Sequence, residues 1–173
     1  MKNRERTAMA FFVLAVISRG GLCSLYELQR GVALEPGGIR PLLVRLEQEG
    51  LLQRSEPGHR RRKRMTVTQQ GEQLLKEEWE GCLQDYPDSE SILRAATVAL
   101  LMGRSDIARD YLMGIADTHQ ANVPTVPCGP GTDWSPVDWY TSMRLTWERR
   151  RHESAAEVFR EIAKHFREDT NRR

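Results

Sequence analysis

Residues 8–17 form an apolar run that no polar position interrupts. Strong helix formers and aromatics over residues 6–18 predict a helix that is apolar nearly all round, and such a helix belongs at the centre of a core. Gly20 and Gly21 end it. Ser24, with Glu27 three residues on, predicts a capping box that opens a short helix over 25–30, stopped by Gly31. A turn through Pro36, Gly37 and Gly38 leads into a third helix over about 39–49. There Ile39, Leu42, Leu43 and Leu46 recur at three- and four-residue spacing and share a face. Gly50 is its stop. Beyond Gly50 the period drops to two. Residues 51–55 read as a strand, 56–58 as a turn and 62–67 as a returning strand, with Met65 and Val67 on one side and Arg64 and Thr66 on the other. Thr68 then caps a helix over 69–80, despite Gly71 in its first turn.

Three helices, a hairpin and a helix, in that order, are the layout of a winged helix-turn-helix module. The second half reads as helical throughout. Asp88 and Ser89 can cap a helix to Met102, Gly103 breaks it, and Ser105 caps another to about Gln120. Residues 122–136 hold four prolines and two glycines and read as an irregular loop. A last helical segment spans about 137–166; its apolar stripe thins over 149–153, where it is solvent-crossing, bent or broken. The expected fold is therefore mostly α with a small β-hairpin wing. Residues 1–80 are expected to form a winged helix-turn-helix DNA-binding domain, and 81–173 a helical C-terminal domain for dimerisation and for an effector.

A 39% apolar fraction suffices for a core, and a net charge of +2 over 173 residues by itself argues for no partner. Its distribution says more. Residues 1–80 carry an excess of four basic residues, whereas 81–173 have a deficit of two. Cys23, Cys82 and Cys128 are odd in number and scattered, so they make no disulfide framework and read as free thiols of a reducing, cytoplasmic compartment. Neither a Cys-x-x-Cys nor a His-x-x-x-His pair is present, and no metal or other cofactor is expected. Lys2, Arg4 and Arg6 before the apolar run resemble a signal peptide. Against that stand Glu5 within the basic stretch, Arg19 directly after the run, and the lack of a small-residue cleavage site. The run is too short to span a bilayer.

The sharpest chemistry is the run Arg60, Arg61, Arg62, Lys63 and Arg64, preceded by His59, at the expected hairpin tip. Five adjacent cations repel one another. A duplex carries about one negative charge per 1.7 Å of axis, so it neutralises several and releases counterions. The alternative is a solvated basic loop. The start of the third helix supplies a second element. Gly37 and Gly38 permit close approach to phosphate, Arg40 beside Pro41 is placed for a guanine edge, and Arg45 for a phosphate one turn on. An i,i+4 ion pair with Glu49 is the competing role for Arg45.

The stretches GGIRPLLVRLEQEGLL and RRRKRMTVTQQGEQLL resemble the recognition helix, wing and following helix of PadR-type repressors. LCSLYELQR resembles that family's second helix, where Gly-Tyr-Glu-Leu is usual and this chain has Ser24–Leu25–Tyr26–Glu27–Leu28. The resemblance covers residues 8–80 well and 88–166 more loosely. It implies a cytoplasmic homodimer joined through C-terminal helices, repressing an inverted-repeat operator in double-stranded DNA until a ligand or stress signal relieves it. Two departures matter. Arg40 stands where the family has Tyr, and the wing lacks the family's Gly-Arg-Pro, so base preference does not carry over. MarR- and ArsR-type regulators share the module, and a winged helix also serves in adaptors that bind protein alone.

For dimerisation the last helix offers Trp139, Tyr140, Met143, Trp147, Phe159, Ile162 and Phe166, more apolar surface than a lone helix leaves wet. An intrachain core is the alternative use. Trp79, Trp134, Trp139 and Trp147 are the rings on which a small aromatic effector would stack. No Gly-rich phosphate loop, nucleophile elbow or metal-ligand spacing points to an enzyme.

Overall fold

The first helix, α1 (Ala8–Ser18), is buried along almost its whole length, from Ala8 to Ile17, with only Met9 partly exposed. Every face of it therefore needs a covering element. The computed structural model describes residues 8–32, 34, 36–55, 64–84, 86, 88–125 and 136–169. Over these the order is α1, α2 (Leu25–Gly31), α3 (Pro36–Gln48), β1 (Leu52–Arg54), β2 (Met65–Val67), α4 (Gln69–Glu78) with a 3-10 turn Trp79–Cys82, α5 (Ser89–Leu101), α6 (Ser105–Ala121) and α7 (Pro136–Asp169). The chain is thus mostly helical with one small antiparallel hairpin. Among the described residues no helix is long and apolar enough to cross a membrane.

Two compact units divide at Ser105 and Asp106. That lies beyond the boundary expected near residue 80, because α5 makes the most extensive of the contacts with α1. The alanines explain the closeness. Ala95, Ala96 and Ala99 of α5 are buried, as are Ala8, Ala10 and Ala15 of α1, and small side chains let helix axes approach. β2, α4 and the 3-10 turn also meet α1.

The local rules set most boundaries in this unit. Ser24 caps α2: its Oγ accepts from the Glu27 N–H at 3.3 Å, and the Glu27 carboxylate accepts from the Cys23 N–H at 3.0 Å. Bonding to Ser24, then to the backbone of Cys23 and Ser24, holds the Glu27 carboxyl below its ordinary range. Gly50 takes φ +71° at the end of α3, a left-handed conformation that glycine adopts at least cost. One boundary differs from expectation. α3 begins at Pro36, so Gly37 and Gly38 form its first turn instead of a preceding loop. Proline suits that first position, since the N–H it lacks has no partner there.

In the hairpin Leu52 pairs with Val67 and Arg54 with Met65, and an N–H of Ser55 to the Arg64 carbonyl at 2.8 Å extends the ladder. Leu52 and Met65 are buried, while Arg64 and Thr66 are exposed, as the alternation requires. β2 is also tied to the start of α2 by the Met65 N–H donating to the Cys23 carbonyl at 2.6 Å. Gly71 is where α4 meets this hairpin. A Cβ there would lie 2.4 Å from the Leu51 carbonyl oxygen and 2.6 Å from Val67 Cγ1. The glycine that weakens the helix as a sequence pattern is the residue that lets it dock. Thr68 closes the corner: its Oγ1 accepts from the Gly71 N–H and donates to the Gly50 carbonyl.

In the second unit α6 and α7 run antiparallel. Arg160 donates to Asp117 at 3.1 Å and to Gln120 at 3.4 Å, His119 Nδ1 lies 2.9 Å from His152 Nδ1, and His119 stacks on Phe159. α7 is continuous across 149–153. There the thinning stripe is solvated helix: Arg149, Arg150 and Arg151 are exposed, and Arg149 pairs with Glu153 at 2.8 Å. At 1.5 Å per residue the 34 residues of α7 span about 51 Å, twice the length of the 17-residue α6.

Gly71→Ala is expected to cost about 1–3 kcal/mol in chemical denaturation, because backbone blocks the new methyl; an unchanged midpoint would disprove the close docking. Asp88 caps α5 by accepting from the Ser91 N–H at 2.7 Å, and that bond holds its carboxyl below the ordinary range. Its contribution is therefore present above the unfolded carboxyl pKa and lost as pH falls through the lower folded value. Asp88→Ala is expected to cost about 1 kcal/mol at neutral pH, with the deficit shrinking below pH ~4 in a series of urea melts.

Candidate nucleic-acid interface

α3 has two faces. Ile39, Leu43 and Leu46 are buried and fasten the helix to the core, where it also meets β1. Gly37, Gly38, Arg40, Pro41, Val44 and Gln48 are exposed. Their spacing places Gly37, Pro41, Val44 and Gln48 in one row, with Arg40 beside it. A Cβ built on Gly37 or Gly38 meets nothing within 4 Å. The glycines are not demanded by packing, and their bareness leaves the first turn open to a partner. The N–H groups of a helix's first turn have no intrahelical acceptor, which makes such a turn favourable to an anion.

The arginines divide into paired and solvent-facing. Arg45 Nε lies 3.7 Å from Glu49 Oε1, an ion pair too long for a hydrogen bond, and that Nε is itself shielded from solvent. This is the competing role foreseen for Arg45. Arg54 on β1 pairs with Glu47 on α3 at 2.5 Å and so braces the helix against the hairpin. Arg40 and Arg64 are exposed. Of the basic run, His59, Arg60, Arg61, Arg62 and Lys63 lie outside the described residues. Arg64 is where the run enters β2, on the strand's outward side.

Sequence reasoning did not single out Val44 or Gln48, although helical spacing from Arg40 and Pro41 puts them on the same face. Nor did it assign a contact role to Tyr26, which is exposed on α2 and accepts a hydrogen bond from Arg30 at 3.1 Å. Residue type gave no signal at Val44, since an apolar residue on a helix is ordinarily counted as core.

The expected dimerisation residues of α7 differ in burial. Phe159 is fully buried and stacks on His119, 5.9 Å between centroids, so it is consumed within the chain. Ile162 and Phe166 are half-buried. Tyr140, Met143 and Trp147 are exposed, Tyr140 by 63% and Trp147 by 62%, and they follow one another at i, i+3 and i+7. The Arg151 guanidinium stands 5.7 Å over the Trp147 ring. The side chain of Trp139 lies outside the described residues, as does Trp134.

A groove of about 380 Å³ between α6 and α7 is lined by Arg109, Asp110, Met113, Arg160, Ala163 and Lys164. It contains none of the tryptophans on which an aromatic effector was expected to stack, and Trp79 is buried. Cys82 is also fully buried, and burial pushes its thiol up to about 12, so it is inert as a nucleophile or redox sensor. Among the described residues no group of three or more histidines, cysteines and carboxylates is gathered to hold a metal. Comparison of the chain with protein-family models, with curated proteins and with solved structures finds no match.

Proposed function

We propose that this chain is a PadR-like, winged-helix transcriptional repressor that binds an inverted-repeat operator as a homodimer. The observation that carries the reading is the union of an exposed, glycine-led helix face on α3 with a hairpin whose connecting segment holds five consecutive cations. The order α1–α2–α3–β1–β2–α4 supports the winged-helix assignment. In this reading α3 enters the major groove, where Arg40 meets a base edge and the first-turn N–H groups meet phosphate. The cations of the wing follow the backbone or enter the minor groove, where negative potential favours arginine.

A two-fold operator requires a two-fold protein, because one helix and one wing read only a half-site. Tyr140, Met143 and Trp147 supply the dimer contact. Tyrosine, tryptophan, methionine and arginine are the residue types enriched in interface cores, and here they lie exposed on one helix face beside Arg151.

Three measurements bear on this reading. Fluorescence anisotropy on any duplex is expected to show steep salt dependence. Replacing Arg60, Arg61 and Arg62 with alanine lowers the slope of log K against log salt by about 1 for each arginine that meets phosphate. Binding indifferent to the three would instead favour a protein-binding adaptor. Arg40→Ala is expected to cost about 1–3 kcal/mol on the operator, with little loss on random duplex; equal losses on both would remove it from base reading. In sedimentation, the wild-type chain is expected to be a dimer that Trp147→Ala weakens by about 2 kcal/mol or more. A monomeric wild type would refute the two-fold arrangement.

A further inference from the structure

We infer that His119 and His152 form a two-imidazole clamp for a late first-row divalent cation, Cu²⁺ or Ni²⁺. The inference is independent of the DNA-binding reading. The two histidines lie 33 residues apart, one on α6 and one on α7, so no sequence spacing announces them. In space their Nδ1 atoms are 2.9 Å apart, with ring centroids 5.1 Å apart and planes inclined at 49°.

Neutral imidazoles at that distance share one N–H···N bond, one ring donating and the other accepting. The same separation suits a metal. Two nitrogens bonded to one ion at about 2.0–2.1 Å stand about 2.9–3.3 Å apart, so a small movement of the rings brings both to a common ion. Imidazole nitrogens suit late first-row divalent ions, and among these affinity rises through Ni²⁺ to Cu²⁺. A swing of the rings about their Cβ–Cγ bonds turns both lone pairs from each other onto the ion. The donor ring's proton moves to its own Nε2, so the neutral pair takes up the cation without net proton loss.

The surroundings favour a fixed site. Phe159 is fully buried and stacks on His119 with planes 29° apart, which orients that ring and closes one side to water. Both histidines are half-buried, within reach of an ion from solvent. Because each ligand comes from a different helix, the ion would fasten α6 to α7.

The test titrates the full-length chain, stripped with chelator, with Ni²⁺ by calorimetry at pH 7.5. One ion per chain is expected. His119→Gln or His152→Gln is expected to weaken binding roughly tenfold or more, since losing a ligand costs at least as much as losing its outer-shell partner. No uptake by the wild type, or equal uptake by both variants, would overturn the proposal. Electron paramagnetic resonance of the wild type with one equivalent of Cu²⁺ keeps the test decisive even where a variant fails to fold. Nitrogen splitting from two imidazoles supports the clamp, and a spectrum without nitrogen splitting refutes it.

Discussion

Burial of α1 on all sides is the constraint from which the first unit follows. A helix of eleven residues with no polar face cannot lie on a surface, because exposed apolar area costs about 25 cal/mol per Å². It has to be enclosed, and α4, α5, β2 and the 3-10 turn meet it. Small buried alanines on α1 and α5 suit a close helix contact, and Phe11, Phe12, Leu14 and Ile17 are buried beside them on α1. α5 is thereby drawn into the same compact unit as the hairpin.

The same enclosure gives the hairpin a fixed seat. An isolated two-stranded hairpin is marginal in water, and this one has three paired residues on each strand. It persists because Leu52 and Met65 are buried, because Met65 is bonded to Cys23, and because α4 sits down on Leu51 and Val67 through Gly71. The Glu47–Arg54 pair then joins α3 to β1. An exposed helix face and an exposed strand end are thus carried on elements seated on the core.

The second unit is organised differently. α7 is twice as long as α6, and the contacts between them run from His119 and His152 to the groove at Arg109 and Lys164. The first half of α7 continues past the end of α6 and carries its aromatic residues outward. Each helix buries an apolar set, Ala108, Leu112, Ile115 and Ala116 on α6 and Ala156, Phe159 and Ala163 on α7, and polar links join the two: Arg160 to Asp117 and Gln120, and one histidine to the other.

Helix positions, caps and strand alternation were legible in the sequence because they depend on neighbours within four residues. Ser24, Thr68 and Asp88 cap where their side-chain oxygens reach the next turn, and Gly50 and Gly103 stop helices by taking positive φ. The exposed face of α3 was half legible: Arg40 by its charge, Val44 not at all. What sequence alone could not decide depends on distance across the fold. Gly71 reads as a flaw in a helix until the Leu51 carbonyl is seen 2.4 Å from its missing Cβ. Phe159 and Trp147 belong to one stripe on paper, yet only the packing beside His119 makes the first core and leaves the second exposed. Short-range geometry is written in residue order, whereas which of two equivalent apolar side chains finds a partner is settled only when remote segments meet.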